Sequence, residues 1–577
     1  MPQLVCMDFL WQHPPSSLLC ALEILSMALF SSLCSRHLTD GRLPWSSALL
    51  WSLACLTFGF LLVLRTRRSR EIKTKGGNVR FPPGPHPWPI AGNLSIFNQG
   101  PPHRLLHDLA RGTHGYGPIM GLWLGSRPAV VVSNAFYARE ILLTHDQIFA
   151  SRPHFAFSDF VFYGYNSSVI FSGHDPRLAR FRKICAVELL TTKRLRELEF
   201  VRKEEIQSLL HKLHKDSAGG TKPVDVRRFV SEMTANTISR LLFSRKADQY
   251  DLPALTHDIE SKATVIIGDF IPCLAFLGTR KIADMKMLHN RIEGFLESIL
   301  AERRQAMQSL PSRELPHDFL QALLSKESCE DEAERLTADE IKGFIIDIVS
   351  AGVITSAVTL EWAMAELLRN PQALRKLQKD IDAVILARGI KQQELISDDD
   401  VVDLPYLNSV LKEVFRLHPA GPLLLPRISS KECIVGDYLL PKGTLAFVNT
   451  FAIGRDERYW ERSEEFWPER YIQNEFELPN DISAVKSDGD EIMQSNMKVD
   501  VHGQHYELLP FGSGRRMCLG IRLGLLMVNG PLANLIRSFD WELPDGISPD
   551  SVDMAEKGSM GVCKATPVFA IPKPRSM

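Results

Sequence analysis

With 577 residues, 45% of them hydrophobic, the chain can bury a large core, although about 150 residues per domain is only a loose guide to domain number. Its 67 Lys and Arg nearly cancel its 68 Asp and Glu, which argues against a global attraction to nucleic acid. The ten cysteines (6, 20, 34, 55, 185, 273, 329, 433, 518 and 563) form no CxxC pair. This speaks against a disulfide framework or a cysteine-rich zinc site, and for a reducing compartment.

Trp45–Leu64 reads WSSALLWSLACLTFGFLLVL, without a charge. At about 1.5 Å per residue such a stretch crosses a hydrocarbon layer of about 30 Å, so a transmembrane helix is expected over 45–64. RTRRSR follows at Arg65–Arg70, then Lys73 and Lys75. This cluster is expected to stay cytoplasmic, with the body of the protein on that side. A cleaved signal peptide fits less well, because the basic cluster lies on the wrong side of the apolar run. Residues 1–44 form an N-terminal region whose apolar stretch Ser16–Cys34 carries Glu23. That stretch reads as a second span, an interfacial helix or part of a targeting segment. FPPGPHPWP at Phe81–Pro89 closes a basic and proline-rich hinge, 65–89, that is too stiff for helix or central strand.

Residues 90–577 read as one domain, mainly α with a minor β part. Strand-like runs fall at Ile119–Trp123 and Ala129–Val132, split by a turn at Gly125. Helical periodicity dominates 175–420, broken at Gly219–Gly220, Ser309–Arg313 and Asn370–Pro371. Phe344–Leu368 predicts a long apolar helix that contains Ala351, Gly352, Val353, Ile354, Thr355 and Ser356. A glycine in mid-helix costs about 1 kcal/mol against alanine, so Gly352 implies a packing or functional reason. Glu413 and Arg416 lie three apart and share a helix face. Arg470 follows in FWPER, and a carboxylate between two guanidiniums makes a charge-satisfied buried network.

Residues 475–500 are polar and acidic and read as a solvated loop. His502 and His505 form an HxxH pair that lacks a second metal pair, so zinc is not expected there. The most restrictive segment is Pro510–Gly520, PFGSGRRMCLG. Gly512, Gly514 and Gly520 permit a tight loop with exposed N–H groups. An apolar helix is expected from Ile521, which would set Cys518 near a helix N-terminus where the dipole favours a thiolate. Arg516 adds positive charge beside it.

The spacing F-x-x-G-x-R-x-C-x-G at Phe511–Gly520 resembles the haem loop of the cytochrome P-450 family. The resemblance extends in order through Glu413, Arg416 and Arg470, which look like the family's E-R-R triad, and through Ala351–Ser356, which looks like its oxygen-activation segment. PPGPHPWPIAGNL (82–94) and SAVTLEWAMAELLRNP (356–371) look most like the plant group that includes flavonoid hydroxylases. The resemblance implies the cytochrome P-450 fold and a haem whose iron is held by Cys518. It implies Thr355, with Ser356 beside it, as proton-relay hydroxyls, and Arg516, Arg182, Arg427 and Arg152 as contacts to haem carboxylates. It also implies small residues that let the helix pass close to the haem.

The activity implied is a monooxygenase that puts one atom of O2 into a small apolar substrate, aromatic rings included. Electrons would come from NADPH through NADPH-cytochrome P-450 reductase. Membrane lipid is a further expected partner, with the anchor in the endoplasmic reticulum and the catalytic domain cytosolic. Segments expected to face substrate are Phe155–Val169, Phe344–Thr355, Pro422–Leu425 and Lys557–Met560. Three positions depart from the family pattern. Ile354 stands where an acid is common, Leu178 where a tryptophan is frequent, and Leu519 where a proline is frequent. Ile354 keeps open a haem-thiolate isomerase, dehydratase or peroxide-using enzyme, and a non-catalytic haem-binding membrane protein is the rival from another class.

Overall fold

The computed structural model describes residues 80–577 except 112–114, 333, 392, 474–498, 559–560 and 576–577. The expected anchor, the stretch 16–34, the basic cluster, most of the 475–500 loop and Met560 lie outside the described residues.

Six helices build the site: α1 (Pro176–Glu188), α2 (Val226–Phe243), α3 (Thr279–Ser309), α4 (Ala338–Arg369), α5 (Pro405–Leu417) and α6 (Ile521–Ser538). Their starts follow local chemistry. Asp175 accepts the Leu178 N–H at 3.1 Å and Pro176 takes the first helical position, where no N–H is needed. Thr337 and Glu340 cap α4 reciprocally: the Thr337 hydroxyl accepts the Glu340 N–H at 3.2 Å, and the Glu340 carboxylate accepts the Thr337 N–H at 2.9 Å. Pro371, expected as a break, opens the helix after α4, and Asn370 closes α4 itself.

α4 is long and apolar enough to cross a membrane, yet it is the central core helix, packed by α2, α5 and α6. Its apolar residues run almost all the way round it, as burial on every side requires.

The β part positions the arginines. β1 (Ile119–Leu124) and β2 (Arg127–Val132) form the expected hairpin, Ile119 opposite Val132 and Leu124 opposite Arg127. β3 (Arg427–Ile428) pairs antiparallel with β4 (Leu445–Val448), and β4 lies parallel to β2. The order is β1-β2-β4-β3. Ser151 bridges Ile428, which brings Arg152 beside Arg427. A small hairpin, β5 (Glu556–Lys557) with β6 (Cys563–Lys564), lies near the C-terminus.

Candidate active site

The loop before α6 turns twice through the left-handed region, at Gly512 (φ +67°) and Gly514 (φ +71°). At Gly514 a Cβ would lie 2.3 Å from the Leu142 carbonyl oxygen, so only glycine fits both the backbone and the space. Gly520, expected as a third permissive position, has an ordinary φ of −86° and caps α6 instead. The Cys518 N–H donates to the Phe511 carbonyl at 3.0 Å, which closes the loop. The Phe511 ring meets Phe415 of α5 edge-on at 5.4 Å. Asp146 clamps the outside of the loop: it accepts the Arg515 N–H at 3.1 Å and lies 3.3 Å from Arg427.

Cys518 exposes its side chain, yet burial pushes its thiol up. The Gly520 amide and the Arg182 charge pull the other way and are outweighed. The helix-start argument alone predicted a lowered thiol, and desolvation reverses that. A coordinated metal ion deprotonates such a sulfur outright.

Four guanidiniums gather beside the loop. Arg516 donates to the carbonyls of Ala150 (2.5 Å), Val169 (3.3 Å) and Ser172. Arg152 donates to Leu425 (2.6 Å), Pro426 (3.1 Å) and Ile170 (3.2 Å). Arg182 donates to Met517 O at 3.0 Å and Arg427 to Ser513 O at 2.8 Å. Among the described residues, Asp146 is the carboxylate that forms an ion pair with one of the four, Arg427. Burial, then mutual repulsion, holds Arg152 well below its ordinary range; Arg516 falls to about 10, chiefly through burial and then through Arg182 and Arg427. Burial also takes Arg427 to about 10. Such a cluster fits a multiply charged anion.

On α4, Ile348, Ala351, Gly352 and Thr355 are at least partly accessible while almost every neighbouring residue is buried. Ile348, Ala351 and Thr355 recur at helical spacing, so they form one stripe. The Thr355 hydroxyl donates to Ala351 O at 2.7 Å. α4 packs on α6, the helix that follows Cys518. A haem would need a thiolate to hold its iron, small residues that permit its close approach and cations for its carboxylates, and these residues fit that group.

Several expected site residues sit otherwise. A Cβ on Gly352 would meet Ile238 Cδ1 of α2 at 2.7 Å, so this glycine serves helix–helix packing. Ser356 is buried and off the accessible stripe. Ile354 is also buried, its Cγ2 3.4 Å from where a Cβ on Gly561 would lie, and so turns away from the Thr355 face. The aromatic cluster expected to face substrate is largely core. Phe155, Phe157 and Phe162 are buried; Phe155 and Phe157 stack at 5.7 Å, and Phe157 and Phe162 pack on Phe171 at 5.2 and 4.7 Å. Phe160 and Tyr163 are the half-exposed members. His502 and His505 sit near Asp500 and Glu507.

Glu413, Arg416 and Arg470 do converge. Arg416 Nε and Nη2 both reach the Glu413 carboxylate, and Arg470 Nε reaches it at 3.1 Å. The Trp467 N–H adds a fourth donor at 2.9 Å. Arg416 also gathers the carbonyls of Gly454 (2.6 Å) and Glu465 (2.9 Å), which ties the meander around Trp467 to α5.

A loop-held cysteine before a helix, a small-residue stripe on a central helix and a buried Glu-Arg-Arg knot together define a haem-thiolate enzyme. The cytochrome P-450 family model matches residues 82–568, and the chain belongs to that family. It is 35% identical over 534 residues to a flavonoid 3'-monooxygenase of Arabidopsis thaliana, covering 91% of this chain and 96% of that protein. It is 36% identical over 510 residues to the Petunia hybrida flavonoid 3'-monooxygenase, covering 86% and 92%. A dimethylnonatriene synthase of Zea mays is 35% identical over 536 residues, covering 89% and 94%. A solved zebra fish cytochrome P-450 with progesterone shares the fold at 24% identity and a TM-score of 0.67, covering 82% of this chain and all of that one. The chain is accordingly a haem-dependent monooxygenase.

Sequence reasoning missed Asp146, which carries no local signal. It also missed Asp347, although a lone acid in the apolar run between Glu340 and Glu361 is a visible one.

Proposed function

We propose that this enzyme inserts one atom of O2 into a small apolar secondary metabolite bearing aromatic rings, of the flavonoid kind. Its electrons come from NADPH through NADPH-cytochrome P-450 reductase. The observation that carries the reading is the accessible Cys518 sulfur at the head of α6, with Arg152, Arg182, Arg427 and Arg516 gathered beside it. Haem bound there would supply oxygen activation, and the Cys518 thiolate would hold its iron. The four guanidiniums would offer its carboxylates charge-assisted hydrogen bonds.

Thr355 lies on the accessible stripe and keeps its hydroxyl oxygen available to accept from water, because its proton goes to Ala351 O. With Ile354 turned toward Gly561, the proton route runs through Thr355 and water without a neighbouring acid. The Glu413–Arg416–Arg470 knot keeps the meander and α5 rigid behind the site. The flavonoid class rests on the relatives' activity and on the accessible apolar side chains Ile348 and Ala351 on the same stripe as Thr355.

In this reading residues 45–64 anchor the chain in the endoplasmic reticulum membrane, 65–89 form the hinge, and 90–577 work in the cytosol. Lipid contact is supported by Trp88 (69% exposed), Phe276 (64%) and Leu277 (61%). They lie on segments that meet at the β1–β2 turn, where Gly125 N–H donates to Ala91 O and Ser126 N–H approaches Phe270 O. Reductase docking is supported by exposed Arg515 on the Cys518 loop and exposed Lys183, the neighbour of the Arg182 that donates to Met517 O.

The test has two stages. The reduced protein under carbon monoxide should give the thiolate-ligated haem band and lose it in Cys518→Ala; a wild type with no such band ends the reading. Flavanones and flavones supplied with reductase, NADPH and oxygen-18 gas should then yield a product carrying one labelled atom. Product that forms without reductase, or without the label, refutes the monooxygenase assignment.

A further inference from the structure

Asp347 is buried inside α4, and among the described residues every hydrogen-bond partner of its carboxyl lies on the segment just before α1. The Ser168 hydroxyl donates to Oδ1 at 2.9 Å and to Oδ2 at 3.0 Å. The Val169 and Ile170 N–H groups both donate to Oδ2, at 2.5 and 3.2 Å. Ser168 Oγ in turn accepts the Ile170 and Phe171 N–H groups at 3.1 and 2.9 Å. The segment lies flush on the helix: a Cβ on Gly343 would sit 2.3 Å from Ser167 O.

The carbonyls of the same residues point elsewhere. Val169 O accepts from Arg516 at 3.3 Å, Ser172 O accepts from Arg516 as well, and Ile170 O accepts from Arg152 at 3.2 Å. Val169 and Ile170 therefore give their N–H groups to one carboxyl, while their C=O groups, with that of Ser172, go to two guanidiniums. Peptide groups aligned this way polarise one another and hold both ends in place.

We propose that Asp347 is a positioning residue that, through the peptide groups of residues 168–172, fixes Arg516 and Arg152 in the geometry that receives the haem carboxylates. The inference rests on the haem-thiolate reading above. Either protonation state serves. Oδ2 accepts both peptide N–H groups, while Oδ1 meets Ser168, whose hydroxyl rotates to donate or accept. Burial pushes the carboxyl up to about 7. The titratable group facing it from α1 is Cys185, a thiol that burial pushes up and keeps neutral. An asparagine keeps the oxygen for Val169 and Ile170 and offers its amide to Ser168, whereas an alanine leaves these groups buried and unpaired.

The test measures the rate at which the full-length ferric protein in detergent loses haem to excess apomyoglobin. Asp347→Ala should lose haem about tenfold faster than wild type, the scale set by one or two unpaired buried donors. Asp347→Asn should stay within about twofold, and Ser168→Ala should fall between them. A folded Asp347→Ala that keeps the wild-type rate overturns the proposal, and so does an asparagine variant as fast as the alanine one. Where the alanine variant does not fold, Ser168→Ala decides: a wild-type rate overturns and a faster one supports. A wild type that carries no haem overturns the haem-thiolate reading and this inference with it. Intact haem in the wild type with equal loss rates in all variants overturns the inference alone.

Discussion

Arg416 grips Glu413 with two parallel hydrogen bonds, Nε to one carboxylate oxygen at 2.8 Å and Nη2 to the other at 2.7 Å, with both side chains out of solvent. Removing the carboxylate strands two buried guanidiniums. Glu413→Ala should therefore cost about 3–5 kcal/mol in thermal or denaturant unfolding. Arg416→Lys should rescue little, because one ammonium cannot span both oxygens and also hold the Gly454 and Glu465 carbonyls.

Restoring an acid before the relay threonine is an obvious experiment, and the packing predicts its outcome. The Ile354 side chain lies against Gly561, away from the accessible stripe. Ile354→Asp should bury a carboxyl without a partner, lower stability by at least about 2 kcal/mol, and leave the ratio of product to NADPH consumed no better than wild type. A gain in that ratio would show that the side chain reaches the Thr355 face after all.

A Cβ on Gly352 would run into Ile238 of α2. Gly352→Val should overpack the α2–α4 contact and cost about 1–3 kcal/mol in thermal unfolding. Ile238→Ala should recover part of that loss in the double variant, a non-additivity read from a double-mutant cycle. Independent, additive effects would contradict the contact.

Acid stability has an identifiable contributor. Glu556 of β5 receives His103 at 2.9 Å and Arg104 Nε at 2.6 Å. Despite burial, these partners hold its carboxyl down from the ordinary 4.5 to about 2. A depressed folded value means that the stabilisation is complete above 4.5 and drains away as pH falls from there toward 2. Glu556→Gln should cost about 3 kcal/mol at neutral pH, at ~1.4 kcal/mol per unit, and should flatten the loss of melting temperature across that acid interval.

What was legible in the sequence was chemistry tied to spacing along one element. The Cys518 loop, the i,i+3 relation of Glu413 and Arg416, the β1–β2 hairpin and the break at Asn370–Pro371 all depend on near neighbours, and they stand where spacing put them. Which face of an element meets which partner is settled by long-range packing. Hence Gly352 turned to Ile238, Phe157 and Phe162 joined the core with Phe171, and Ser356 fell off the accessible stripe. The Asp347 network escaped for the same reason: its partners are 177 to 179 positions away.

The crowding of Arg152, Arg182, Arg427 and Arg516 has a consequence for how this protein matures. Four like charges in the interior oppose the last stage of folding until a dianion neutralises them. Cofactor uptake then acts as a checkpoint: a newly made chain that has not captured its prosthetic group stays loose in this region and exposed to proteolysis.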